Sequence, residues 1–192
     1  VAQVREALVL ALIACGRHDE PPPAPAPAAA AKSADLVPHT TGPIQIDGEW
    51  DEPDWPRHAF RAQFLGDDGQ LARPSSELRM LRDDHDLIVA LYAADENIET
   101  RDAFDLTVGP VSLHVDATAA VTPKIPGVRA KVGYDEGTLD NAKDDDEEWV
   151  VEVAIPLAST GKGHLAAKAA RCDVPKDGTQ RCGHWNGFVT IE

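Results

Sequence analysis

From Gly42 to the C-terminus the apolar residues recur mainly at every second position, the period of strands with one buried face. Ile44 and Ile46 alternate around Gln45 and run into Asp47-Gly48, the pattern of a first strand ending in a tight turn. The acidic, proline-interrupted stretch that follows ends on Trp55, predicted to be a buried anchor over which the later strands close. Phe60, Ala62 and Phe64 alternate with Arg61 and Gln63 up to the turn Gly66-Asp67-Asp68-Gly69. Leu78 and Met80 mark another strand, and the almost unbroken apolar run from Leu87 to Ala94 predicts a central one, buried on both faces. Further strands are expected at Val111 to Asp116, Val128 to Tyr134, Trp149 to Leu157 and Trp185 to Ile191. Pro156 cannot donate to a ladder, so its strand should end or reach an edge there. No long stretch repeats its apolar residues every three or four positions, and only Ala154 to Thr160 and Gly163 to Arg171 leave room for a short turn of helix. The pattern predicts an all-β chain.

Ahead of Gly42 the pattern is different. Ala7 to Ala14 is apolar and too short to span a bilayer, and Leu12-Ile13-Ala14-Cys15 resembles the bacterial lipobox, in which the cysteine is lipidated and the preceding residues are removed. Glu20 to Lys32 is dominated by proline and alanine, without apolar periodicity, as expected of an extended, disordered tether. The expected organisation is a lipoprotein signal peptide over residues 1–14, a lipidated Cys15 and linker over 15–41, and one domain over 42–192. Its expected location is the bacterial cell envelope, exported and membrane-anchored through the lipid.

Four segments of that domain share a common likeness. Ile44-Gln45-Ile46-Asp47-Gly48 with Asp51-Glu52 and Trp55 resembles the opening of family 9 carbohydrate-binding modules. Asp83 to Glu96, with its acidic turn, apolar strand and closing Asp95-Glu96, is similar to their middle strands, and Val111 to Asp116 to the strand that follows. Trp149-Val150-Val151-Glu152-Val153-Ala154-Ile155-Pro156 is similar to a later one. The segments occur in the family's order across the region from Ile44 to Ile191. The resemblance implies an antiparallel β-sandwich of the immunoglobulin-like or jelly-roll-like kind, and a non-catalytic sugar-binding module such as accompanies carbohydrate-active enzymes.

Charge and cysteine content narrow the partners. With 18 basic and 33 acidic residues the net charge is −15, so the chain lacks the basic footprint that nucleic acid requires. With Cys15 assigned to lipidation, Cys172 and Cys182 remain as an even pair in an exported protein, the setting of a disulfide. The competing zinc site, with His164 and His184, matches no common ligand spacing.

A sugar site needs aromatic faces for the apolar side of a pyranose and polar groups for its hydroxyls, yet aromatics make up only 5% of residues. The resemblance places a stacking aromatic near Phe104, an acidic position at Ser112 and a basic one at Lys131. Trp50 is added as an aromatic in the first turn. Trp55, Trp149 and Trp185 are expected to pack. Asp95 and Glu96 are the candidate ligands for calcium, since hard cations require several oxygens at once. Asp83, Asp84 and Asp86 form a second acidic group, and Asp144 to Glu148 is a solvated charge run.

Two other functional classes stand beside sugar binding. One is a structural or protein-interaction module, suggested by the shortage of clamp aromatics. The other is a haem-binding electron-transfer domain using Met80 and His114, set against the ordinary role of a lone Met as core filler. Catalytic motifs are lacking: Ser159-Thr160-Gly161-Lys162-Gly163 has neither the first Gly nor the trailing Ser/Thr of a phosphate loop.

Overall fold

The computed structural model describes residues 35–143, 146–174, 176 and 178–192. The proposed signal peptide, Cys15 and most of the linker lie outside the described residues. In chain order the elements are α1 (Asp54–His58), β1 (Phe60–Gln63), β2 (Ser76–Arg82), β3 (Asp86–Ala94), β4 (Ala103–Val108), β5 (Val111–Asp116), β6 (Val121–Thr122), β7 (Arg129–Asp135), β8 (Glu148–Pro156), α2 (Leu157–Thr160), β9 (Gly163–Asp173) and β10 (Arg181–Ile191). Among the described residues the strands form two five-stranded sheets, ordered β1-β2-β3-β8-β7 and β10-β9-β4-β5-β6. Every ladder between them is antiparallel, so the domain is an all-β sandwich.

Alternation decides which residues lie between the sheets. Leu78 and Met80 of β2, Leu87, Val89 and Leu91 of β3, and Val151, Val153 and Ile155 of β8 point inward to meet Phe104, Leu106 and Val108 of β4 and Leu113 and Val115 of β5. At about 1.5–3 kcal/mol for each large apolar side chain removed from water, this layer is the main source of stability. β3 lies between β2 and β8 and is buried on both faces, which explains its unbroken apolar run. β8 ends at Pro156, and α2 begins at the next residue.

The first segment departs from expectation in three ways. Ile44 and Ile46 join no ladder, because the nearby backbone donors are taken by carboxylates. Gln45 N–H donates to Glu52 Oε1 (2.8 Å), and the Asp47 and Gly48 N–H groups both donate to Glu152 Oε2 (3.0 and 3.1 Å). Trp55 is fully buried but lies on α1 and joins Leu81, Ile88, Ala90 and Val150, a second cluster on the outer face of the first sheet, against which Ile44, Ile46, Trp50 and Tyr92 pack. It caps that sheet, whereas the strands were expected to close over it. The domain also starts before residue 42: Val37 is fully buried, Leu36 bridges to Thr190, and His39 bridges to Arg82.

Glu152 ties the two ends of the family-like pattern together. Gly48 sits at φ 95°, and a Cβ there would lie 2.3 Å from the Gly133 nitrogen, so the turn can press onto β7 only as glycine. Gly133 meets the same limit from the other side, where a Cβ would lie 2.6 Å from the Gly48 oxygen. The Glu152 carboxyl beneath has no exposed surface, and burial, with the charges of Glu52 and Asp47 adding to it, pushes its pKa up to about 8 against the two N–H bonds.

Two strands run where the sequence offered little or something else. β4 places Phe104, Leu106 and Val108 inward at every second residue. Gly163 to Arg171, where a helical turn had room, is the first part of the eleven-residue β9. Its alanines favour helix locally, but ladders to β4 on one side and β10 on the other outweigh that preference. Cys172 and Cys182 face each other across the β9–β10 hairpin and form a disulfide. The thiols are therefore unavailable for the zinc alternative.

Candidate functional site

The four residues chosen for sugar contact are not brought together. Phe104 lies wholly inside the sandwich, its ring 5.1 Å from Trp149 and 5.9 Å from Phe64, so it is a core residue with no face to offer a ligand. Lys131 is exposed on the edge strand β7, opposite Glu152, on the outer side of the first sheet. Trp50 belongs to that side too, stacked on Tyr92 at 5.1 Å with the Arg79 guanidinium 3.7 Å from its ring centre. Ser112 alone lies on the outer face of the second sheet, its hydroxyl 3.0 Å from that of Thr107. The haem pair is divided likewise: Met80 is buried between the sheets, whereas His114 is on the outer face of the second.

That outer face carries the arrangement best suited to a polar ligand. The parity that points Leu165, Ala167 and Ala169 of β9 inward turns His164, Ala166, Lys168 and Ala170 outward, and β10 turns out His184, Asn186 and Phe188. Two adjoining hollows share Thr107, Lys168 and Asn186, one reaching Phe188 over Ala166 and Gly187, the other reaching Asp105, Ala170 and His184. Phe188 is 55% exposed and stacks on His164 at 4.8 Å, nearly parallel, presenting a flat aromatic platform at the rim. Asp105 is hydrogen-bonded to His114 at 3.0 Å. Alanine and glycine form the floor, so a ligand can lie close to the sheet. These residues were legible only as alternating positions in strands, and β9 was not read as one.

Asp95, one of the two candidate calcium ligands, belongs to a buried acidic cluster with Asp102 and Asp173, whose ligand oxygens all lie within 4.8 Å of one another. Glu96 is exposed and outside it. Arg171, 2% exposed at its side chain, reaches Asp95 Oδ2 at 2.5 Å and Asp173 Oδ1 at 3.3 Å, and Trp149 Nε1 donates to the same Asp95 oxygen at 3.2 Å. One guanidinium thus faces three carboxylates in a place nearly without solvent. Burial, reinforced by Asp95 and Asp173, pushes Asp102 up to about 7, and burial also raises Asp173. The cluster could coordinate a cation such as calcium, and Asp173 Oδ2 is buried without a hydrogen-bond partner among the described residues, while Arg171 already supplies one positive charge. The signal missed in the sequence was Arg171 itself, an arginine at an inward position of a strand, which demands buried counter-charge.

The other acidic candidates are used locally. Asp83 accepts the His85 and Asp86 N–H groups of its own turn, Asp84 meets His39, and Asp86 pairs with Arg129 at 3.0 Å. Asp146, in the run read as solvated, is buried and accepts the Ile98 N–H at 2.7 Å.

No family model and no curated protein matches the chain. Among solved structures it is similar to a carbohydrate binding module family 9 from Caldicellulosiruptor kristjanssonii in complex with cellotriose, at 12% identity and a TM-score of 0.53, covering 82% of this chain and 92% of that one. It is similar to the glucose complex of a family 9 module from the same organism at 11% identity and a TM-score of 0.53, over 82% and 95% of the respective chains. At that identity the likeness is one of fold: the domain shares the two-sheet sandwich architecture of these modules.

Proposed function

We propose that this domain is a non-catalytic carbohydrate-binding module, that its ligand surface is the outer face of the second sheet, and that it is carried on a lipoprotein of the cell envelope. The observation that carries the reading is the pair of hollows around Thr107, Lys168 and Asn186, with the exposed Phe188 ring beside them. An aromatic platform takes the apolar face of a pyranose, and amide, hydroxyl and ammonium groups two residues along take its hydroxyls. The architecture shared with modules bound to cellotriose and glucose supports the same class. Affinity electrophoresis and a glycan array on residues 35–192 test it. Retardation by a polysaccharide that Phe188→Ala abolishes is expected, and silence across soluble and insoluble glycans defeats it.

The exposed Leu65 and Leu71, which bridge to each other, favour a second reading, a protein-interaction module in the envelope. Crosslinking to a defined envelope protein, lost on Leu71→Asp with sugar binding absent, would establish that instead. The lipoprotein part rests on Leu12 to Cys15 and the Pro/Ala tether. Intact protein should enter the detergent phase, and Cys15→Ser should accumulate as an unprocessed precursor. Wild-type protein that stays wholly soluble with Val1 attached, in a host that processes lipoproteins, refutes that part.

A further inference from the structure

We infer that the glycan taken by this face is acidic, a saccharide of the uronate class whose carboxylate is held by Lys168. The inference rests on the sugar-binding reading and names its substrate class. Lys168 lies on β9, between β10 and β4 in the sheet, and belongs to both hollows. The residues directly across from it are Thr107 on β4 and Asn186 on β10, neither of them charged. Asp105, the acid nearest in register on β4, is occupied by His114 at 3.0 Å. Among the described residues no ion pair includes Lys168.

In a chain of net charge −15, cations are scarce and carboxylates abundant. An ammonium whose cross-strand neighbours are uncharged, in a hollow where the one carboxylate, Asp105, is bonded to His114, is placed to meet an anion supplied from outside. Phe188 pairs with Ala166, two residues along from the Lys168–Asn186 pair, so the backbone positions that carry the platform and the ammonium are about 7 Å apart along the strands. That spacing lets one ring rest on Phe188 while a carboxylate of the same or the adjacent sugar reaches Lys168. Asn186 and Thr107 flank the ammonium and can bond the neighbouring hydroxyls. The long-range field of the protein repels any polyanion, so recognition must come from this contact rather than from steering.

The test is calorimetric titration of the intact chain with galacturonate, glucuronate and mannuronate oligomers, their carboxyl-reduced counterparts and a cello-oligosaccharide. The wild type should bind one uronate oligomer about tenfold or more tightly than its reduced form. Lys168→Met should erase that preference, and Lys168→Arg should keep most of it. Equal binding of acidic and reduced oligomers, or a preference that survives Lys168→Met, overturns the inference and leaves the sugar-binding reading standing. Failure of every saccharide to bind a chain with an unaltered unfolding midpoint overturns both.

Discussion

Replacing Glu152 by glutamine should make the domain more stable at pH 8 and leave it nearly unchanged at pH 5. The wild-type carboxyl is fully buried, accepts two backbone N–H bonds on Oε2 and, among the described residues, has no partner for Oε1. A glutamine oxygen in the same place keeps both bonds, and its amide stands where the protonated acid would carry its own unpartnered O–H, so glutamine imitates the neutral form. Because the folded-state pKa is raised to about 8 from an ordinary 4.5, the folded chain holds this proton more tightly than the unfolded one. The resulting stability is complete below the unfolded value and is lost as pH climbs through about 8. One proton changes stability by about 1.4 kcal/mol per pH unit, so between pH 5 and pH 8 the wild type should lose on the order of 4 kcal/mol relative to Glu152→Gln. Urea titrations followed by tryptophan fluorescence, run on both proteins at half-unit intervals, give the difference directly, and the contributions of other carboxylates cancel in it. Glu152→Ala should cost about 2–5 kcal/mol at pH 5, because the Asp47 and Gly48 N–H groups are left without an acceptor and a cavity opens. Parallel stability curves for wild type and Glu152→Gln from pH 5 to pH 8 would refute the reasoning, since they would mean that the carboxylate is ionised throughout.

Arg171→Met should destabilise the fold by about 3–5 kcal/mol at neutral pH, because it leaves Asp95, Asp102 and Asp173 together without their counter-charge; thermal unfolding checks this, and a loss under 1 kcal/mol would contradict it. If the cluster takes calcium, millimolar calcium should raise the wild-type midpoint and Asp173→Asn should remove the shift, whereas identical scans with calcium and with chelator would exclude it. Reduction, or Cys172→Ser with Cys182→Ser, should cost about 3 kcal/mol by the loop-closure estimate for this ten-residue separation, measured as a lower urea midpoint. Gly48→Ala should cost at least 2 kcal/mol from the positive φ and the clash with Gly133, and a midpoint equal to wild type would show that the turn does not press on β7.

Local sequence alone determined that the domain is all-β, which strands alternate, that Leu87 to Ala94 runs through the centre of a sheet, and that β8 stops at Pro156. Those properties follow from side-chain period and from the missing N–H of proline, both written residue by residue. Tertiary structure decided what depends on meeting partners distant in the chain. Ile44 and Ile46 have a strand's alternation, yet Glu52 and Glu152 take the nearby donors that a ladder would need. Alanine-rich β9 has a helix former's composition, yet two ladders hold it extended. Phe104 looked like an available platform until the fold placed Phe64 and Trp149 against it. The acidic cluster gathers residues 95, 102 and 173 around one arginine, and the proposed ligand face gathers β4, β9 and β10. Sequence order carries no record of such neighbours, because ladder register and sheet packing bring them together only when the chain closes.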